Sequence, residues 1–169
     1  LGSLITSKTR LRMLIKFFVS AANNGYLNGL ANEFNESTNS IRKELNNLSS
    51  AGYLLKSKEN NRIVYNANTS HPMFEVLQKI VRQHLGLEDI VETVINRIGD
   101  VDQIALTGEY AKGIDSGNIE IVINGLKVNN EYLENIKPKI KRKIGREVSF
   151  LVNQKLDSNS IILYKKAIK

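Results

Sequence analysis

The stretch STNSIRKELNNLSSAGYL (residues 37–54) decides how the first part of the chain folds. Ser37 is suited to a helix N-cap, because its hydroxyl can accept a bond from an unpartnered amide of the first turn. Ile41, Leu45 and Leu48 then recur at helical spacing, and Ala51-Gly52 ends the helix. With Ile41 at 0° and ~100° per residue, Leu45 falls at ~40° and Leu48 at ~340°, a narrow apolar stripe. Asn39, Lys43 and Asn46 fall at ~160°, ~200° and ~140°, and Arg42 borders them at ~100°. One side of this helix is built to pack, and the other carries amides and cations.

Upstream, Ser7 caps a helix whose apolar face is Leu11, Leu14, Ile15 and Phe18, and which ends before Asn23-Asn24-Gly25. A second short helix fits Leu27 to Phe34, with Leu27, Leu30, Ala31 and Phe34 on one face. Downstream, residues 53–58 and 62–67 read as two strands of a hairpin that turns at Glu59-Asn60-Asn61. The order is helix, helix, helix, hairpin.

Residues 7–67, and residues 37–54 above all, resemble the winged helix-turn-helix domains of bacterial ArsR-like and MarR-like transcriptional regulators. Amide side chains can bond adenine in pairs, and Lys or Arg can bond guanine or phosphate, so the outer face of the third helix suits a major groove. Asn39, Arg42, Lys43 and Asn46 are therefore the expected DNA-binding residues of that helix. In the hairpin, Lys56, Lys58 and Arg62 flank an Asn-rich tip, and Lys58 and Arg62 are the expected contacts of a wing. A solvated helix face, and lysines that protect an exposed hairpin from aggregation, are the plainer readings of the same residues. The resemblance also implies a homodimer on a two-fold site in duplex DNA.

Composition sets the outer limits. The 169 residues include 24 Lys and Arg against 17 Asp and Glu, a net charge of +7. Residues 1–70 carry +5, residues 71–99 carry −1 and residues 100–169 carry +3. A basic balance attracts polyanions without specifying sequence. The hydrophobic share of 41 % is enough for a core, and the length allows one domain or two small ones. The absence of cysteine excludes disulfides, Fe–S clusters, cysteine zinc sites and a cysteine nucleophile. No apolar run approaches the ~18 residues of a membrane span, and no signal-peptide order is visible, so a cytoplasmic protein with no membrane partner is expected. Beginning at Leu1, the chain is expected to be a piece of a slightly longer product.

His71-Pro72 is expected to open a connector helix over residues 71–85, with Met73, Phe74, Leu77, Ile80 and Val81 on one side. After Gly86, a stronger stripe from Leu87 to Ile98 continues to Gly99. Those faces bury either within the chain or against a second copy. His71 and His84 stand thirteen positions apart and have no cysteine to join, so no metal and no cofactor is expected.

In the last part, residues 101–107 and 119–123 read as buried strands. The stretch LTGEYAKGIDSGNIEIVI (106–123) resembles the core of the minimal nucleotidyltransferase fold. In active families that turn carries Gly-Ser for nucleotide phosphates, and the next strand carries Asp-x-Asp for metals. Here Gly108 remains, Glu109 stands at the Ser position, and Asn118 and Glu120 stand at the paired acids. The strand at 147–152, which holds a third acid in active relatives, has none in its interior. Two-metal phosphoryl transfer needs clustered carboxylates to hold hard cations, so catalysis is not expected here. Gly108, Glu109, Tyr110, Lys112 and Glu120 would line a remnant pocket for a ligand.

The chain as a whole resembles bacterial proteins that join a winged helix to a nucleotidyltransferase-like domain through helices. The expectation is thus an α+β chain: a winged helix at 1–70, a connector at 71–85, and a small α/β domain with a mixed sheet at 86–169. That domain would serve dimerisation, or sensing of an effector or partner protein. The competing functions are a Mg²⁺-dependent nucleotidyltransferase that docks through its winged helix, and a protein-interaction scaffold. Finally, residues 137–146 place six cations on a helix whose apolar face is Tyr132, Leu133, Ile136, Ile140 and Ile144. Pro138 should kink that helix or mark its beginning.

Overall fold

In the computed structural model, which describes residues 1–167, Ser7 accepts a bond from the Arg10 amide and starts α1 (Lys8–Phe18). The next elements are β1 (Asn24–Gly25), α2 (Leu27–Phe34) and α3 (Thr38–Ser50). Ser37 accepts from the Ser40 amide at 3.2 Å, so both hydroxyl caps form as their types predict. Strands β2 (Leu54–Glu59) and β3 (Arg62–Ala67) follow as an antiparallel hairpin. Glu59 pairs with Arg62, so the turn narrows to Asn60-Asn61, whose φ values are 46° and 61°. A two-residue hairpin loop with both φ positive follows the twist of its strands, and Asn tolerates that conformation best after Gly.

β1 was not foreseen. It lays two residues beside β3, Asn24 opposite Asn66 and Gly25 opposite Tyr65, giving the sheet order β1-β3-β2. Two residues are too few for any periodicity to register. The core under this sheet and the three helices is Met13, Ile15, Phe17, Phe18, Leu30, Ile41 and Leu45, all essentially without solvent exposure. Each such side chain contributes about 1.5–3 kcal/mol of burial free energy, offset by the entropy of ordering the chain.

Two charged residues are buried with that core, Lys16 of α1 and Glu44, a carboxylate only 5 % exposed on the inner side of α3. Arg10 of α1 meets it with two bonds, Nε at 2.9 Å and Nη2 at 3.3 Å. Arg12 reaches Glu36 at 2.6 Å and the Phe34 carbonyl at 3.0 Å, and Lys16 reaches Glu33. Thr9 adds a hydroxyl to Glu36. α1 is thereby tied by charge to the acids that precede and occupy α3.

His71 does not open the next helix. Its Nδ1 accepts from the Met73 amide at 3.1 Å, and its ring lies 4.3 Å from that of Tyr53, so His71 and Pro72 form a turn. α4 begins two residues later (Phe74–Leu85). The chain divides into two compact units, Leu1–Val81 and a second from Arg82 onward, and the division falls inside α4.

In the second unit α5 (Leu87–Ile98) starts after Gly86, at φ +76°, where a Cβ would come within 2.3 Å of the Ile144 side chain. Only glycine meets both demands. Then come β4 (Gln103–Thr107), α6 (Gly108–Ala111), β5 (Asn118–Asn124), α7 (Asn130–Ile144), β6 (Glu147–Val152) and β7 (Ile161–Lys165). The sheet order is β6-β5-β4-β7, with β5 and β6 parallel and the other pairs antiparallel. This is the mixed sheet expected, and the chain is α+β. Ile104, Leu106, Ile119, Ile121 and Ile123 are buried in its centre, and Ile90, Val94, Leu133, Ile136 and Ile140 are buried on α5 and α7.

Pro138 does not begin its helix: α7 runs unbroken from eight residues before it, and the ring sits on the exposed side. β7 went unread because it is a half-buried edge strand whose exposure alternates only weakly.

Replacing Arg10 by Met is expected to lower the unfolding free energy by about 1–3 kcal/mol, since a buried carboxylate is left without its donors. The double change Arg10→Met with Glu44→Leu should recover most of that loss, as urea denaturation of the variants would measure.

Candidate nucleic-acid interface

The phase of α3 follows from which side it buries. Ile41, Glu44, Leu45 and Leu48 point inward, and Asn39, Arg42, Lys43 and Asn46 are all exposed. Arg42 Nη1 donates to Asn39 Oδ1 at 3.3 Å across one turn. In the hairpin, Lys56, Lys58 and Arg62 are exposed as well. A groove of about 350 Å³ brings Arg42 and Asn46 of α3 together with Lys56 and Arg62 of the hairpin. Asn39, Lys43 and Lys58 lie outside its lining.

Tyr26, which the sequence reading did not single out, forms part of the same groove. Its ring carries the Arg62 guanidinium at 4.3 Å from the centroid. Lys56 stands 5.9 Å from the Tyr65 ring across the hairpin. No local signal marks Tyr26, because its importance comes from a partner 36 positions away.

Charge is sorted within this unit. Residues 1–70 hold nine cations and four acids. Three of those acids, Glu33, Glu36 and Glu44, are bound by Lys16, Arg12 and Arg10 of α1. The fourth, Glu59, accepts from Ser57 Oγ at 3.3 Å. Among the described residues the other six cations have no carboxylate partner: Lys8 stands at the start of α1, and Arg42, Lys43, Lys56, Lys58 and Arg62 all lie on α3 or the hairpin. The excess positive charge is therefore concentrated beside the amide side chains of α3.

The six cations of residues 137–146 behave differently. Lys137 pairs with Glu134, Lys141 with Glu147, Lys143 with Asp89 and Arg146 with Asp115. Only Lys139 and Arg142 of that run lack a carboxylate partner among the described residues. The run is largely neutralised within its own unit.

Of the five residues expected to line a remnant pocket, Gly108 and Glu120 lie against each other. Gly108, at φ +68°, sits so close to Glu120 that a Cβ would lie 2.7 Å from its carboxylate. Glu109 and Lys112 are exposed, and Tyr110 is fully buried. The Tyr110 hydroxyl donates to Asp115 and accepts from the Gly117 amide at 3.0 Å and from Arg146 Nε at 3.1 Å. Those bonds leave it no capacity for a ligand. Asn118 Oδ1 accepts from Ser149 Oγ at 3.0 Å, so the first of the paired acid positions is an amide whose oxygen is already engaged. Among the described residues no group of three or more His, Asp or Glu is arranged to hold a metal.

Arg146 also donates Nη2 to His84 Nε2 at 3.4 Å. Because guanidinium can only donate, His84 Nε2 is an acceptor and the ring is neutral with its proton on Nδ1. Burial, and then the Arg146 charge, hold its pKa below the ordinary value of 6.5. Burial of Tyr110, helped by its bond to Asp115, pushes that phenol up to about 12. No family model, no curated protein and no solved structure matches the chain.

His84 binds its proton more weakly when folded, so the unfolded chain takes up more protons as pH falls through about 6.5. Stability is expected to be full above that pH and to decline below it, and His84→Gln should flatten the decline in denaturation curves taken at successive pH values. In an absorbance titration of the six tyrosines, one phenol should ionise near 12, and Tyr110→Phe should remove that late step.

Proposed function

We propose that this chain is a sequence-specific, duplex-DNA-binding transcriptional regulator, acting as a cytoplasmic homodimer, whose first unit is a winged helix of the ArsR-like and MarR-like kind. The sorting of charge carries the proposal. α1 takes up three acids of the unit, and five cations without carboxylate partners remain around the amide face of α3. A merely soluble surface needs both signs interspersed, whereas a phosphate-facing surface needs one sign.

α3 has thirteen residues, about 20 Å of helix, with Asn39, Arg42, Lys43 and Asn46 along its exposed side. Laid in a major groove, amides on that side would read adenine edges and the cations would read guanine or hold phosphates. The hairpin would follow the adjoining backbone with Lys58 and Arg62. Two copies would engage half-sites about 34 Å apart, one turn of duplex.

The second unit is proposed to be a nucleotidyltransferase-like domain without catalysis, used for dimerisation or for sensing an effector or partner protein. In support, Glu120 rests against Gly108 without a second acid at Asn118, and the hydroxyl of Tyr110 is fully engaged. Neither arrangement offers the paired carboxylates that two-metal phosphoryl transfer requires.

Selection of bound fragments from a random duplex library, near physiological salt, tests the regulator directly. The native chain is expected to enrich a roughly palindromic motif, and a variant with Arg42→Ala, Lys43→Ala and Asn46→Ala to enrich none. Recovery of unenriched, salt-labile DNA by both proteins would overturn the proposal and favour a protein-interaction scaffold. Mg²⁺-dependent incorporation of labelled nucleotide that disappears in Glu120→Gln would overturn the inactive reading of the second unit.

A further inference from the structure

Arg62 has a carboxylate directly across the hairpin turn, since Glu59 is its register partner. Side chains at such a pair ordinarily stand within ion-pair reach. Arg62 does not take it. Its guanidinium lies instead over Tyr26, at 4.3 Å from the ring centroid, and makes no hydrogen bond to any described residue. The Tyr26 ring, 37 % exposed, lies against Gly29 on one side, so close that a Cβ there would approach its ring carbons to 2.8 Å. Tyr26 therefore acts as a platform that turns Arg62 away from Glu59 and toward α3.

From this arrangement we infer that the groove lined by Tyr26, Arg42, Asn46, Lys56 and Arg62 is a subsite for one backbone phosphate of the duplex, with Tyr26 as the positioning residue for Arg62. The inference rests on the regulator reading and adds to it a residue and a role. Three cations and no acid line the groove, which is the charge balance of a phosphate site and not of a solvated ion-pair network. A guanidinium stacked on an aromatic face keeps its in-plane N–H groups available and loses little further freedom when they engage an anion. The wing cation thus works beside the recognition helix, on the same stretch of backbone.

The test uses the whole chain and fluorescein-labelled duplexes of equal length, one carrying the selected motif and one of random sequence. Arg62→Ala is expected to weaken binding roughly five- to tenfold on both duplexes alike, and to lower the slope of log affinity against log salt by about one. Tyr26→Leu should cost roughly two- to fivefold, Tyr26→Phe should bind as the native chain does, and Tyr26→Leu should cost nothing further in an Arg62→Ala background. Losses that multiply in the double variant would overturn the inference, because Tyr26 would then act independently of Arg62. So would an Arg62→Ala variant that relaxes one motif position at unchanged salt slope, the mark of base reading. Thermal melting accompanies each variant. Should Tyr26→Leu melt early, Arg62→Lys carries the test: it keeps the charge without the planar stack and should lose most of what Arg62→Ala loses, and full retention would overturn the inference. A native chain that enriches no motif removes both readings, whereas a motif with multiplying losses removes this one alone.

Discussion

A carboxylate at the inner side of α3 must be answered by a cation, and the Arg10 to Glu44 pair is the constraint on which the first unit depends. Leaving that carboxylate without its donors would cost about as much as the burial of a typical aliphatic side chain provides. Ile41, Leu45 and Leu48 set the phase of α3, and the pair ties α1 to it. Once that phase is fixed, Asn39, Arg42, Lys43 and Asn46 have nowhere to point but outward. The same kind of pairing at Arg12 and Lys16 takes up Glu36 and Glu33, which leaves the α3 and hairpin surface positive. Structural ion pairs on one side of the unit thereby determine the electrostatics of the other.

In the second unit the corresponding organiser is Tyr110. Its buried hydroxyl gathers Asp115, the Gly117 amide and Arg146, and Arg146 in turn reaches His84. One phenol ties the turn after α6 to the residue between α7 and β6 and to the end of α4. The polar groups hold the turn after α6 closed on itself.

Much of the architecture could be read from the chain. The caps Ser7 and Ser37, the bounds of α2, the hairpin and the strands around residues 103–107, 118–124 and 147–152 all rest on local signals: a capping hydroxyl, a 3.6-residue stripe, a β-branched run. What escaped were elements without such a signal. β1 is two residues long, β7 is a half-buried edge, and His71-Pro72 looks like a helix start although the His71 ring caps a turn instead. Glu44, at ~300° on the α3 wheel, sits beside the apolar stripe and was a visible sign of a buried acid.

For the candidate site, the sequence by itself determined which side of α3 is polar, which residue types stand there and that the first seventy residues are basic. Those are properties of spacing and composition, which one chain carries without reference to its partners in space. Only the tertiary structure decided which cations are neutralised and which are not, since Arg10, Arg12 and Lys16 find their acids 17 to 34 positions away. It also decided that Tyr26 lies under Arg62, and that Tyr110 turns inward. Electrostatic and aromatic contacts depend on distances of a few ångströms, and a linear pattern does not contain those distances until the chain has folded.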